Sequence, residues 1–302
     1  MMTANPTPWT TLVDVATLSS ALSQGDTRLL DARATASAAP RVLDARFSLA
    51  DPQSGARDYA AGHLPGALRA DVNRDLADMS VVGHGRHPLP DSDAFAATLG
   101  RWGIGPDTQV VVYDGGDGSM AAARAWWLLR LIGHTQVAVL DGGLAAWQAA
   151  GLPLTTDVPE VLPLPAYPGR FDTRQVASVD EIAARLKHAP GWLLDARAGE
   201  RFQGEVEPLD PVAGHVPGAV NRPFALNVAD GRLRPAAELQ AALRPLIGTH
   251  DPQQVVLMCG SGVTACHLLL AMEVAGLHGA RVYADSWSGW VSDSSRPVAT
   301  GA

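Results

Sequence analysis

The sequence predicts an α/β protein made of two similar domains, each with a mainly parallel sheet flanked by helices. Three observations lead to this prediction: the length of the chain, an internal repeat, and the alternation of short apolar runs with helix-like stretches. The chain has 302 residues, and at about 150 residues per domain this length suggests two domains. Strands that alternate with helices are typical of parallel sheets, because parallel strands need crossover connections.

The internal repeat consists of four pairs of segments that occur in the same order in both halves. Residues 29–33 read Leu-Leu-Asp-Ala-Arg and recur identically at 193–197. The other pairs are 62–67 with 214–219, 110–114 with 255–259, and 137–147 with 281–290. The first pair lies 164 residues apart and the others 152, 145 and 143, so we expect longer loops in the first copy, mainly between its first two segments. Four ordered matches indicate a duplicated domain.

A proline-rich segment separates the two copies. Residues 151–171 contain five prolines and little periodic pattern. Proline at this density favours an extended, semi-rigid linker. The sequence therefore predicts an N-terminal domain over 1–150, a linker over 151–171 and a C-terminal domain over 172–302.

Short apolar runs predict the strands, and longer periodic stretches predict the helices. The predicted strands are 110–113, 137–140, 193–194, 255–258 and 281–283. The predicted helices are 121–132, 144–150, 179–186, 235–246 and 264–275. Asp180 and Glu181 lie in the first turn of the third helix, where carboxylates favour a helix N-terminus. Ligands of parallel sheets bind beyond the carboxyl ends of the strands, which directs attention to the residues after 258.

The composition excludes several classes of protein. Hydrophobic residues make up 47% and charged residues 18% of the chain, which is enough apolar surface to form a core and excludes general disorder. The net charge is −8 without any basic run, which argues against nucleic-acid binding. The longest apolar stretch is interrupted by Glu273 and is far shorter than the roughly 20 residues of a membrane span. The N-terminus lacks the pattern of a secretion signal, so we expect a cytoplasmic enzyme that does not bind membranes.

The two cysteines, Cys259 and Cys266, predict neither a disulfide framework nor a zinc site. They lie seven residues apart without a His or Cys companion at ligand spacing. We therefore expect no metal and no other cofactor. Cys266 lies in a predicted helix beside several leucines, which indicates a packing role.

Cys259 is the candidate nucleophile because of the loop that follows it. The loop reads Cys259, Gly260, Ser261, Gly262, Val263 and Thr264. Small residues between a buried strand and a helix let backbone N–H groups converge on one point, and the helix adds its positive end. A thiol in such a cup is expected to ionise below the usual value of about 8.5. The alternative is a buried, inert cysteine, a common fate for this residue after an apolar strand.

Three reactions suit a cysteine in such a cup. Phosphate-ester cleavage needs an arginine six positions after the cysteine, where this chain has Ala265. A cysteine–histidine hydrolase needs a base beside the thiol, which His63 or His215 could supply. Sulfur transfer needs a thiolate that attacks a sulfur atom, and N–H groups that stabilise the resulting persulfide.

These motifs resemble those of tandem rhodanese-type sulfurtransferases over essentially the whole chain. The 259–264 loop is similar to that of the 3-mercaptopyruvate sulfurtransferases, and the repeated His-x-Pro-Gly-Ala and the Leu-Asp-Gly-Gly…Trp segments strengthen the match. The resemblance implies two rhodanese-like domains, of which the C-terminal one is catalytic. Asp114 occupies the cysteine position in the first copy, and because a carboxylate cannot carry sulfur, we expect that domain to be catalytically silent.

The resemblance also implies two arginines for the donor's acid group. Arg201 matches the first, and a guanidinium fork suits a carboxylate. The second arginine is missing, since residues 205–212 contain none. Arg222, which follows the His-x-Pro-Gly motif, is the candidate substitute.

His63 is the predicted proton carrier. The resemblance implies that His63 faces the active cleft and passes a proton through Ser261 to the leaving enolate. The alternative is that it fixes a turn by hydrogen bonding, since His215 occupies the same motif in the second copy. Asp31 and Asp195 are expected to be structural, holding nearby backbone N–H groups.

The resulting hypothesis is a sulfurtransferase that takes sulfur from 3-mercaptopyruvate through a Cys259 persulfide and releases pyruvate. The expected partners are a small-molecule sulfur donor and a thiol, thioredoxin or cyanide as acceptor. One alternative is a thiosulfate:cyanide sulfurtransferase, favoured by the missing second arginine and disfavoured by the uncharged loop. The other is a persulfide-sensing or anion-binding module without turnover.

Overall fold

The first sheet belongs to the N-terminal half of the chain. The computed structural model describes residues 7–28, 39–116 and 121–301. The strands of the first half are β1 (Leu12–Val13), β2 (Arg41–Asp44), β3 (Leu68–Arg69), β4 (Val110–Tyr113) and β5 (Val137–Leu140). They form a parallel sheet in the order β1-β5-β4-β2-β3. The central strands are buried on both faces, which explains their continuous apolar sequences.

The C-terminal half repeats this arrangement. Its strands are β6 (Leu193–Asp195), β7 (Val220–Asn221), β8 (Val228–Ala229), β9 (Arg232–Leu233), β10 (Val256–Met258) and β11 (Arg281–Val282). A parallel sheet has the order β11-β10-β6-β7, while β8 and β9 form a small antiparallel hairpin. A parallel bridge from Val176 to Val282 occupies the edge position that β1 has in the first sheet.

Helices flank both sheets. Those of the first half are α1 (Val15–Arg28), α2 (Ser54–Ala61), α3 (Ser92–Arg101), α4 (Ala121–Leu131) and α5 (Gly143–Ala149). Those of the second half are α6 (Val179–Ala184), α7 (Gly199–Gln203), α8 (Ala236–Ile247), α9 (Thr264–Val274) and α10 (Ser286–Trp290). Short 3-10 helices cover Thr173–Gln175, Phe224–Asn227 and Pro252–Gln254. The part of the chain described by the structure has no helix long and apolar enough to cross a membrane.

The two halves share a core at the contact between α4 and α9. Nearly every side chain of α4 is buried, including Trp126 and Trp127. The residues of α9 from Ala265 to Met272 are buried as well. A helix that is apolar on all sides lies inside a larger unit, and one continuous apolar cluster does extend across both halves.

The predicted fold class is confirmed, and so are the predicted elements. Each predicted strand agrees with an observed strand to within one residue and each helix to within two. Asp180 and Glu181 lie in the first turn of α6, where the Ser178 hydroxyl accepts a hydrogen bond from the Glu181 N–H at 3.2 Å. Residues 151–171 contain no helix, and their Leu164 N–H donates to Gly100 O at 2.9 Å, so this segment runs along α3. The domain boundaries stay a prediction.

The first pair of the repeat was assigned wrongly. Residues 29–33, including Asp31, lie outside the described residues. The counterpart of Asp195 is Asp44, because Asp44 pairs with Tyr113 and Asp195 with Met258 at the ends of equivalent strands. Asp44 lies 151 residues before Asp195, so the first two segments of both copies are separated by nearly the same length. The longer loop expected there does not exist.

Identical hydrogen bonds confirm the corrected pairing. Arg46 bonds to the carboxylate of Asp44 at 2.6 Å and to Gly62 O at 2.7 Å. Arg197 bonds to the carboxylate of Asp195 at 2.7 Å and to Gly214 O at 2.8 Å. Asp195 also accepts from the Arg197 N–H at 3.0 Å. The structural role predicted for Asp195 agrees with these contacts: it ties the end of the strand to the His-x-Pro-Gly turn.

Candidate active site

Cys259 follows β10 directly and lies at the carboxyl end of the second sheet. The residue is only 2% exposed, and its Sγ accepts a hydrogen bond from the Gly262 N–H at 3.1 Å. Its own N–H donates to Ser286 Oγ at 3.1 Å, and its carbonyl accepts from the Trp287 N–H at 2.9 Å. The cysteine is thus fixed on both sides, with a backbone donor aimed at its sulfur.

The turn at Gly262 creates this donor. Gly262 has φ +77°, and a Cβ atom built there would lie 2.3 Å from Ala284 O. Only glycine fits such a position, since it adopts positive φ without strain and has no side chain to clash. Val263, which is buried, follows the turn, and α9 begins at Thr264. The sulfur therefore lies beside the positive end of a helix.

Ser261 lies next to His87, a histidine of the N-terminal half. The Ser261 hydroxyl and His87 Nδ1 share a hydrogen bond of 2.8 Å, and both residues are buried. Burial and the nearby charges of Arg124 and Arg86 lower the pKa of His87 to about 3. His87 is therefore neutral near pH 7, and its ring orients the serine hydroxyl through this bond.

Arg124 joins the cysteine loop to the segment that carries His87. This fully buried side chain on α4 donates to Leu76 O at 2.9 Å, His87 O at 3.0 Å and Gly262 O at 3.2 Å. Burial lowers the pKa of Arg124. One guanidinium thus satisfies carbonyl groups from both halves and sets the distance between Ser261 and His87.

Two guanidinium groups lie over Gly260. A Cβ atom built on Gly260 would be 2.9 Å from Arg86 Nη2 and 3.4 Å from Arg201 Nη1. Arg201 projects from α7 and pairs with Glu207 at 2.6 Å and with Asp210 at 3.3 Å. Arg86 pairs with the other oxygen of Asp210. Arg201 therefore lies at the cysteine loop, as predicted, and Arg86 accompanies it.

The predicted position of His63 at the cleft is wrong. His63 Nδ1 lies 2.8 Å from Tyr59 O, its Nε2 lies 3.1 Å from Asp157 O, and the ring stacks on Tyr59. His215 repeats this pattern, with Nδ1 2.8 Å from Phe202 O and its ring stacked on Phe202. Both histidines hold a turn against the preceding helix, and His87 occupies the place beside Ser261.

Arg222 also lies elsewhere than predicted. Its Nε donates to Asn227 Oδ1 at 3.0 Å and its Nη2 to Leu226 O at 3.2 Å. These contacts commit the guanidinium to the 3-10 helix that follows β7. The second arginine beside the cysteine loop is Arg86, so the proposed substitution by Arg222 does not hold.

Cys266 and Asp114 lie where their predicted roles require. Cys266 is fully buried on α9 and its Sγ contacts Gly262 O at 3.1 Å; burial raises its pKa. Asp114 follows β4 as Cys259 follows β10. The catalytic silence of the first domain stays a prediction.

Among the described residues, no group of three His, Cys, Asp or Glu side chains could hold a metal ion.

Sequence reasoning missed Arg86 and His87. Both lie in the loop between β3 and α3, which has 22 residues, against 14 between β7 and α8 in the second copy. This extra length was the sequence feature that could have pointed to the loop. Gly85 lies where the loop contacts the other half. Gly85 has φ +82°, and a Cβ atom there would lie 2.5 Å from Asp285 O in the other half. The loop therefore crosses to the second domain.

Comparison with known proteins agrees with this geometry. The family model of the rhodanese-like domain matches residues 14–150 and 178–293. A Pseudomonas aeruginosa protein named as a probable 3-mercaptopyruvate sulfurtransferase is 49% identical over 263 residues, which cover 86% of this chain and 92% of that protein. A Mycobacterium tuberculosis protein named for thiosulfate sulfurtransferase activity is 42% identical over 86% of this chain and 90% of its own length.

Solved structures give the same result. The 3-mercaptopyruvate sulfurtransferase from Leishmania major has a TM-score of 0.78 and 30% sequence identity, covering 94% of this chain and 75% of that one. The Escherichia coli protein SseA has a TM-score of 0.74 and 30% identity, covering 93% and 100%. The chain belongs to the rhodanese family and is a sulfurtransferase with two rhodanese-like domains.

Proposed function

We propose that this sulfurtransferase takes sulfur from 3-mercaptopyruvate, carries it as a persulfide on Cys259, and releases pyruvate. The observation that carries the proposal is the pair formed by Ser261 and His87 beside a sulfur atom that accepts the Gly262 N–H. This arrangement supplies a nucleophile, a donor for its negative charge and a route for a proton.

In the first step the Cys259 thiolate attacks the donor's sulfur. A sulfur–sulfur bond forms, the carbon–sulfur bond of the donor breaks, and its electron pair leaves on carbon as the enolate of pyruvate. The proton of the donor's thiol moves to that carbon, which gives pyruvate and the persulfide anion. The Gly262 N–H and the α9 N-terminus stabilise the anion.

The proton transfer favours 3-mercaptopyruvate over thiosulfate. Sulfite leaves thiosulfate without needing a proton, whereas the pyruvate enolate needs one. Ser261 can pass it from sulfur to carbon while neutral His87 orients the serine hydroxyl through the 2.8 Å bond. Arg201 binds the donor's carboxylate, and Thr264 completes the polar lining of the loop.

In the second step an acceptor removes the outer sulfur and regenerates the Cys259 thiolate. A thiol, a thioredoxin or cyanide suits this step, because each offers a nucleophile to the persulfide. The cytoplasm, where such thiols are kept reduced, is the proposed location.

The second candidate is a thiosulfate sulfurtransferase. Two guanidinium groups near Gly260 favour it, since they suit a dianion, and so does the 42% identity to the Mycobacterium tuberculosis relative.

Turnover on the two donors separates these candidates. We expect pyruvate release from 3-mercaptopyruvate with a kcat/KM at least about 100-fold above that of sulfite release from thiosulfate, as one proton-transfer contribution implies. His87→Gln should remove most of this preference. A higher kcat/KM on thiosulfate would refute the proposed donor and leave sulfur transfer intact.

A further inference from the structure

We infer that Arg86, from the N-terminal domain, binds the donor's carboxylate together with Arg201, in the place that the side chain of Asp210 occupies in this structure. The inference rests on the proposed donor and specifies its binding site. The binding site for the donor's carboxylate then contains one arginine from each domain. Donor selection therefore depends on the N-terminal domain as well as on the domain that carries Cys259.

The first support is the position of the two guanidinium groups. Both lie within contact distance of where a side chain at position 260 would begin, at 2.9 Å for Arg86 Nη2 and 3.4 Å for Arg201 Nη1. Gly260 follows Cys259 directly. The sulfur and the acid group of 3-mercaptopyruvate lie at opposite ends of a small molecule, so its carboxylate has to be bound close to the cysteine. Gly260 provides the space.

The second support is the carboxylate that already bridges the two arginines. One oxygen of Asp210 pairs with Arg86 Nη1, and the other lies 3.3 Å from Arg201 Nη2. The chain's own side chain thus shows that this pair of guanidinium groups accepts one carboxylate between them. Two charge-assisted contacts of this kind recognise an acid group with defined geometry.

The third support is the division of contacts between the two acidic residues. Glu207 holds Arg201 at 2.6 Å and accepts the Leu209 and Asp210 N–H groups at 3.1 and 3.2 Å. Glu207 therefore orients Arg201 and the turn, while the carboxylate of Asp210 pairs with one terminal nitrogen of each arginine.

Solvent reaches part of each arginine. The Arg86 and Arg201 side chains are 23% and 17% exposed, against 3% for Asp210. Arg86 Nε is buried without a hydrogen-bond partner among the described residues, so Arg86 has donor capacity that Asp210 leaves unused. An incoming carboxylate can replace Asp210, which lies in the irregular segment after α7.

Steady-state kinetics with 3-mercaptopyruvate test the inference on the full-length enzyme. Arg86→Ala should raise KM at least about tenfold, the loss expected for one charge-assisted contact, and change kcat much less. Arg57→Ala is the matched control, because it removes an exposed, ion-paired arginine of the same domain, and should leave both constants unchanged. Asp210→Asn should lower KM, because the competing carboxylate is removed.

Three results separate a failure of this inference from a failure of the proposed function. An unchanged KM in Arg86→Ala, or a raised KM in Asp210→Asn, would overturn the inference while pyruvate release by the parent enzyme keeps the proposed function. Absence of pyruvate release by the parent would refute the proposed donor and the inference with it. If Arg86→Ala fails to fold, Arg86→Lys is the alternative variant, because lysine keeps the charge but lacks the planar guanidinium group. The same rise in KM is expected, and pyruvate should bind more weakly as a product inhibitor.

Discussion

At the scale of single residues, the site depends on which polar side chains already have backbone partners. His63 and His215 each lie against a carbonyl group of the preceding helix, and His63 also lies 3.1 Å from Asp157 O. His87 Nδ1 instead bonds to the Ser261 hydroxyl. A histidine that occurs in both copies of a repeat, although only one copy has the cysteine, is explained by the turn that both copies share. The histidine that bonds to Ser261 occurs in one copy, and it is the one to which we assign a part in the chemistry.

Substitution of the two histidines should separate chemistry from stability. His87→Gln is expected to lower kcat for 3-mercaptopyruvate by about 100-fold, the usual effect of disabling one proton-transfer group, because the Ser261 hydroxyl loses the partner that orients it. Little change in Tm is expected. His63→Gln should instead lower the free energy of unfolding by about 1–3 kcal/mol, because buried carbonyl partners lose a donor. Steady-state kinetics and urea unfolding measure the two effects. Equal loss of kcat in both variants would contradict the assignment.

The neutral state of His87 also predicts how stability depends on pH. Its pKa falls from 6.5 to about 3 on folding, so below pH 6.5 the unfolded chain binds a proton that the folded chain does not. The free energy of unfolding is therefore not reduced by His87 above pH 6.5, and it decreases as the pH falls from 6.5 toward 3. Urea unfolding between about pH 7 and pH 5 should show a larger loss of stability for the parent than for His87→Gln. Parallel losses would contradict the buried, neutral histidine.

At the scale of elements, the cysteine loop depends on one turn and the strand beside it. β10 and α9 were predicted from their sequences, and so was the loop between them. The close approach of Gly262 to Ala284 O was not, because it joins residues 22 positions apart whose spacing depends on tertiary packing. The same limit applies to β2: residues 43–46 read Leu-Asp-Ala-Arg, as residues 30–33 do, so the sequence alone did not show which of the two is the counterpart of β6.

Two glycine variants test the turn. Gly262→Ala should reduce sulfur loading of Cys259 at least about tenfold and cost more than 2 kcal/mol of stability, since strain and a backbone clash add. Gly276→Ala is the matched control: Gly276 also has positive φ, +73°, but a Cβ there meets nothing within 4 Å. It should cost only about 1–2 kcal/mol and keep full loading. Thermal unfolding and peptide mass analysis give both values, and normal loading in Gly262→Ala would contradict the role of the turn.

At the scale of the whole molecule, the candidate active site is built from residues of both halves of the chain. The N-terminal half supplies Arg86, His87 and Arg124, and the C-terminal half supplies Cys259 and Ser261. The duplicated fold was predictable, because periodicity and repeats are local properties of the sequence. The loop that crosses between the copies was not, since nothing in residues 80–90 identifies the other half as its partner.

The shared core predicts that the two halves unfold together. One apolar cluster spans both halves, and Arg124 bonds to carbonyl groups on both sides. Calorimetry should show one transition with equal calorimetric and van't Hoff enthalpies. Arg124→Met should lower Tm, because several buried carbonyl groups lose their donor, and reduce sulfur loading. Two separate transitions in the parent protein would contradict a common core.

The mass of the Cys259 peptide after incubation with 3-mercaptopyruvate shows directly whether this cysteine carries the sulfur. We expect one added sulfur atom on Cys259, one pyruvate released per enzyme in the absence of acceptor, and removal of the sulfur by a thiol or cyanide. Cys259→Ser should show neither product, while Cys266→Ser, the matched control, should behave as the parent. Pyruvate release by Cys259→Ser, or added sulfur on Cys266 instead of Cys259, would refute Cys259 as the sulfur carrier.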